Sequence, residues 1–217
     1  MSFKTNDIEA ARRHLRKADP VLRGLIDRVG LFTLKTQRSR FRMLVRSIVS
    51  QQISTAAARS IRARLEQLVA PEPLTPENMS RLTLAQMRSA GISPQKASYL
   101  MDLAERVASG RTRLTGMARM TDEEIIEELT QIRGIGRWTA QMFLIFCLGR
   151  LDVFPHDDLG VRKAIRDLYK LAEMPDKIKS HAIAERWRPY ASIASWYCWR
   201  SLDVEKAVKT SAGEYPC

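Results

Sequence analysis

Two adjacent carboxylates, Asp157 and Asp158, stand directly before LGVRKAI, a run whose apolar residues recur at helical spacing. On that period Asp158 shares a face with Val161 and Ile165, while Asp157 points about 100° away. An N-cap role therefore falls to Asp157, and the register of Asp158 turns its carboxyl toward the apolar side. A carboxylate buried there is costly unless it has a function or partners. Near a helix N-terminus its charged form is favoured. Such a group stabilises positive charge developing in a transition state and orients or deprotonates an attacking water.

A second candidate lies upstream in QIRGIGRWTAQ, Gln131–Gln141. Thr121-Asp-Glu-Glu124 is a capping box, so a helix runs from there to about Ile132. Another helix starts near Gly136 or Arg137 and carries Ala140, Phe143, Leu144 and Cys147 on its apolar side. Only Arg133 to Gly136 connect the two. A glycine C-cap in an ordinary helix–helix turn accounts for either glycine alone. The pair, with Arg133, Arg137 and Thr139 around it, reads differently. Glycine admits positive φ and bares the backbone N–H groups, and the helix N-terminus adds partial positive charge. Gly134, Ile135 and Gly136 thus form a site for a DNA phosphate, a contact that carries no sequence information.

Composition agrees with a polyanionic partner. The 217 residues hold 36 Lys+Arg against 24 Asp+Glu, a net charge of +12, and nucleic acid is the commonest partner for such a surplus. Cys147, Cys198 and Cys217 lie far apart without CxxC spacing, which supports neither a zinc site nor an iron–sulfur cluster. Cys147 and Cys198 read as reduced core thiols of an intracellular protein. The N-terminus lacks the apolar run of a signal peptide, and no window approaches a membrane span, so a soluble, cytoplasmic chain is expected.

The elements that must carry these residues are helices, about ten short ones in an all-α fold. Asp19-Pro20, Thr75-Pro76 and Ser93-Pro94 each read as an N-cap followed by proline at the first helical position. Ala70 to Pro76, short and proline-rich, is the one candidate linker.

LTQIRGIGRWTA, followed about twenty residues after its tryptophan by VFPHDDLGVRK, resembles the helix–hairpin–helix DNA glycosylase superfamily and, more narrowly, the DNA-3-methyladenine glycosylase II group. SIVSQQIS (Ser47–Ser54), AGISPQKASYLMDLA (Ala90–Ala104) and ERWRPYASIASWYCWRSLD (Glu185–Asp203) extend the likeness over almost the whole chain. Arg133 stands where many relatives have proline, a departure that leaves the hairpin intact and adds a charge within reach of a phosphate. The chain has no room for the extra N-terminal domain of some relatives.

The resemblance implies two helical subdomains: residues 34–150, carrying the hairpin at about 121–149, and residues 1–33 with 151–217, carrying the catalytic aspartate. It implies a cleft between them with Trp138 on one wall and Asp158 on the other. The family pattern D-x-x-V puts the catalytic aspartate on Asp158. Trp138, Trp199 and Gln51 fall at the base pocket, while Gln52 matches the residue that enters the minor groove and fills the gap left by an extruded nucleotide. His156 reads as a loop residue, and Trp187, Trp196 and Tyr197 as core. The carbonyls of Thr130, Ile132 and Ile135 match positions that hold a monovalent cation, Na+ or K+, in relatives; no cofactor is implied for the chemistry.

The implied activity is cleavage of an N-glycosidic bond, which leaves positive charge on the sugar. Alkylated purines such as 3-methyladenine or 7-methylguanine are already charged leaving groups, and they call for electron-rich aromatic faces more than for an acid. In relatives that also cut the backbone, a lysine replaces Trp138 and forms a Schiff base; tryptophan has no amine for this. A monofunctional alkylpurine DNA glycosylase in base-excision repair is the expectation, with duplex DNA holding a damaged base as partner and a monomer as the working form. A non-catalytic, structure-specific DNA-binding protein and a glycosylase for another modified purine are the alternatives. Asp158 separates the first two, because a carboxylate facing bound DNA only repels phosphate.

Overall fold

A computed structural model of the chain describes residues 3–207. Among the described residues there is no strand, and the helices are α1 (Thr5–Ala18), α2 (Pro20–Val29), α3 (Arg40–Ser50), α4 (Thr55–Val69), α5 (Pro76–Ser80), α6 (Leu84–Ser89), α7 (Pro94–Ala108), α8 (Asp122–Thr130), α9 (Arg137–Phe143), α10 (Leu159–Leu168), α11 (Lys177–Ala184) and α12 (Ala191–Ala207). Their starts follow local chemistry. Asp19, Thr75 and Ser93 each accept a backbone N–H two or three residues ahead, with proline at the first helical position. Thr121 and Glu124 close a reciprocal capping box on α8, and Thr83 and Gln86 close an unforeseen one on α6.

The described chain divides into two compact units, residues 3–36 with 144–207 and residues 37–143. These boundaries differ from the expected 34 and 150. The second falls where α9 passes into a π-helical stretch, Leu144–Leu148, which inserts a residue into the ladder and re-registers the face that follows. Nothing in the apolar spacing signals that change. The Ala70–Pro76 segment is a turn between α4 and α5 inside the second unit rather than a boundary. Cys217 lies outside the described residues.

In the first unit α12 packs on α1, α2 and α10, and α11 adjoins the turn that carries Trp187. Trp187, Tyr197 and Trp196 are buried there as expected core. So are the thiols of Cys147 and Cys198, and burial pushes the Cys198 thiol up, with the charges of Asp19 and Asp158 acting in the same direction. In the second unit α7 packs against α3, α5 and α6, and α9 against α3 and α8.

One fully buried carboxylate ties the first unit together. Oδ1 of Asp19 accepts the Val21 and Leu22 N–H groups, capping α2. Oδ2 accepts Trp187 Nε1 at 3.1 Å and the Tyr169 hydroxyl. Burial, then Asp19 itself, raises the Tyr169 phenol far above the ordinary tyrosine range. Because the folded state keeps that proton, this contribution is whole below about pH 10 and is lost as the pH rises beyond it. Replacing Asp19 by alanine removes a cap and the charged acceptor of two donors, leaving the buried Trp187 indole N–H only the Tyr169 oxygen at 3.3 Å. A loss of at least about 3 kcal/mol in urea unfolding is expected; a loss under about 1 kcal/mol contradicts the node.

Candidate active site and hairpin

Asp158 lies at the N-terminus of α10, where its Oδ1 accepts Val161 N–H at 2.8 Å. The cap role assigned to Asp157 therefore belongs to Asp158, which is buried as well. The two readings are compatible because the cap bond itself supplies the partner that a buried carboxylate requires. Asp157 is exposed and sits 3.2 Å from Nε2 of the buried His156. Trp199 Nε1 donates to the same Asp158 Oδ1 at 2.9 Å, and its ring stacks on Phe146 with centroids 5.5 Å apart.

Gly160 makes room for this pair. A Cβ there would lie 3.1 Å from Asp158 Oδ1 and 3.2 Å from Trp199 Cδ1, tighter than side chains normally pack. Asp158, Trp199, Phe146 and Gly160 thus form one cluster. Its members Phe146 and Gly160 left no mark in the apolar pattern, since each depends on a neighbour distant in sequence.

The two hairpin glycines differ in kind. Gly134 has φ +81°, and a Cβ on it would fall 2.1 Å from the Tyr99 ring, so the fold itself forbids a side chain. Gly136 has ordinary φ and open space where a Cβ would stand. Nothing within the fold excludes a side chain at Gly136. Ile135 and Thr139 are buried, which leaves their backbone groups, not their side chains, for the phosphate site expected of them. Trp138 is half-buried at the start of α9.

The arginines are engaged within the fold. Arg137 makes a two-pronged pair with Glu123, 2.9 Å at its longer contact. The Arg133 N–H donates to Asp102 Oδ2 at 2.9 Å, and its guanidinium lies 3.6 Å from Oδ1 on an exposed side chain.

Gln51, expected at a base pocket, donates Nε2 to the Gly134 carbonyl at 2.9 Å and so braces the hairpin. Gln52 is exposed with φ +55°, a left-handed conformation that a non-glycine residue holds at a cost. Lys96, Tyr99 and Asp102, none of them singled out in advance, support this region from α7. The signal was present in AGISPQKASYLMDLA, whose residues 96, 99 and 102 share a helical face.

Among the described residues no group of His, Cys, Asp and Glu is arranged to hold a metal, and no helix is long and apolar enough to cross a membrane. Residues 45–189 match the HhH-GPD superfamily of base excision DNA repair proteins. DNA-3-methyladenine glycosylase 1 of Schizosaccharomyces pombe is 35% identical over 204 residues, 92% of this chain and 90% of that protein. A solved structure of the 3-methyladenine DNA glycosylase from that yeast in complex with abasic DNA superposes with a TM-score of 0.82 at 34% identity, covering 89% of this chain and 97% of the other. The DNA-3-methyladenine glycosidase of Bacillus halodurans gives 0.80 at 37% identity, covering 100% and 96%. With a glycine hairpin braced by Gln51 and a buried, doubly hydrogen-bonded aspartate starting α10, and with likeness running over nearly its whole length, the chain belongs to the HhH-GPD superfamily of base excision DNA repair proteins.

Proposed function

We propose that this protein is a monofunctional DNA glycosylase that hydrolyses the N-glycosidic bond of alkylated purines in duplex DNA. The observation that carries the reading is the Asp158 carboxylate, buried at a helix N-terminus and held through Oδ1 by the Val161 N–H and the Trp199 indole. Two donors on one oxygen fix the plane of the group before substrate arrives, so little reorganisation is needed as charge develops. As the bond to the base lengthens, positive charge builds on the sugar. The ionised carboxylate stabilises it and directs a water to the same carbon. The departing base is itself cationic when N3- or N7-alkylated, so it leaves without a proton from His156, which lies beside Asp157.

Aromatic faces suit such a base. In the second unit Trp138 offers such a face, and within the first unit the stacked pair Trp199–Phe146 offers another. The likeness to 3-methyladenine glycosylases supports this substrate class. Before the chemistry the nucleotide must leave the stack. Gln52, exposed on strained backbone, is assigned to the gap, and the bare N–H groups around Gly136 to a phosphate. The carbonyls of Thr130, Ile132 and Ile135 suit a hard monovalent cation by donor type, and the Ile132 carbonyl keeps a lone pair after accepting the Ile135 N–H at 3.1 Å. An ion held by these carbonyls would add positive charge to the hairpin.

Asparagine at 158 can still accept both hydrogen bonds but lacks the charge. Asp158→Asn is therefore expected to keep its unfolding midpoint and duplex affinity while base release from methylated duplex DNA falls at least about 100-fold; near-normal release sinks the assignment. Borohydride added during turnover is expected to trap no covalent protein–DNA adduct, and a trapped adduct contradicts the monofunctional reading. The glycines separate fold from function. Gly134→Ala should lose more than about 1–2 kcal/mol of stability from its positive φ alone. Gly136→Ala should unfold like the parent yet bind duplex DNA more weakly in a salt titration; unchanged binding removes the phosphate site from Gly136.

A further inference from the structure

One face of α7 holds both segments assigned to DNA. At its first turn Lys96 sends Nζ to the carbonyls of Val49 at 2.9 Å and Gln51 at 2.5 Å. These belong to the C-terminal end of α3, where carbonyls have no partner inside the helix. A turn further on, the Tyr99 ring occupies the space beside Gly134, and its hydroxyl accepts Gln95 Nε2 at 2.7 Å. After another turn the buried Asp102 accepts the hairpin N–H of Arg133 and pairs with Arg106 at 3.2 Å. Gln51 closes the arrangement from the other side through its bond to the Gly134 carbonyl.

Lys96 is half-buried, and its desolvation lowers its pKa below the ordinary lysine range. A long cationic side chain is withdrawn from water here to meet two backbone oxygens. Between those oxygens and the N-cap Ser54 lies Gln52, whose left-handed backbone is unfavourable by itself and persists only where its surroundings over-determine it.

We propose that Lys96 is a positioning residue for base extrusion: by clamping the Val49 and Gln51 carbonyls it holds Gln52 in its left-handed conformation, at a height above the hairpin set by the Lys96–Tyr99–Asp102 face. Lys96 touches neither the base nor the sugar. It acts through Gln52, so the inference rests on the assignment of Gln52 to the DNA gap. Seating the hairpin on a phosphate then fixes how far the Gln52 side chain enters the duplex, because both segments are tied to one rigid helix.

The test uses the full chain and a duplex containing a tetrahydrofuran abasic-site analogue opposite 2-aminopurine, so the readout does not depend on lesion class. Preference for this duplex over an undamaged one, and the 2-aminopurine fluorescence change on binding, report insertion. Lys96→Met keeps the side-chain length without a donor. It is expected to lower the preference about tenfold, the scale of a lost charge-assisted contact, while affinity for undamaged duplex stays unchanged. Lys96→Arg should restore most of it. Because Lys96 acts through Gln52, the double variant Lys96→Met/Gln52→Ala should be no worse than Gln52→Ala alone. Should Lys96→Met not fold, Lys96→Gln, which keeps one carbonyl partner, should give a smaller loss with the same non-additivity. Equal weakening on both duplexes, or additive losses, overturns the positioning role. If Gln52→Ala lowers the signal and Lys96→Met does not, only this proposal fails. If Gln52→Ala changes nothing, the insertion assignment falls and this proposal with it.

Discussion

A carboxylate taken out of water must be met by donors, because an unsatisfied buried charge costs more than most single interactions return. Three aspartates are buried among the described residues: Asp19, Asp102 and Asp158. Each is satisfied by groups from separate segments. Asp19 joins the start of α2 to Tyr169 and Trp187; Asp102 joins α7 to the hairpin at Arg133; Asp158 joins the start of α10 to Trp199 on α12. Two of them also cap helices, so one carboxylate serves a local end and a distant contact together. Much of the tertiary arrangement within each unit can be read as the set of constraints these carboxylates impose.

The same requirement connects architecture to chemistry. A carboxylate meant to stabilise positive charge must be ionised, oriented and shielded from water. Capping α10 meets the second condition, since the Val161 N–H sets the direction of the carboxylate. The Trp199 indole completes the orientation, while Gly160 leaves room for both groups. In the second unit the proposed role inverts the problem, since it asks a hairpin to present backbone donors to an anion. Interactions that hold its other groups, from Asp102, Tyr99 and Gln51, leave the bare backbone near Gly136 in open space. The surplus of 36 basic over 24 acidic residues supplies the long-range attraction to a polyanion that such a surface needs.

Amino-acid order alone determined the helical class, the starts of α2, α5, α7 and α8, the glycine pair of the hairpin and the tryptophan in place of a lysine. These are local matters. Caps act over two or three residues, apolar periodicity over a few turns, and the absence of an amine from residue 138 needs no neighbour to be known. The inward register of Asp158 was legible as well, and the residue is buried. Tertiary structure decided that Trp199 meets Asp158, that Gln51 braces the hairpin, that Gly134 lies against Tyr99, and that one face of α7 serves two loops. Those contacts join residues from 31 to 83 positions apart, as at Arg133–Asp102 and Gln51–Gly134. A side chain's propensity records its own conformational preferences; which distant carbonyl or ring it meets depends on how the helices pack, and that information belongs to no single stretch of chain.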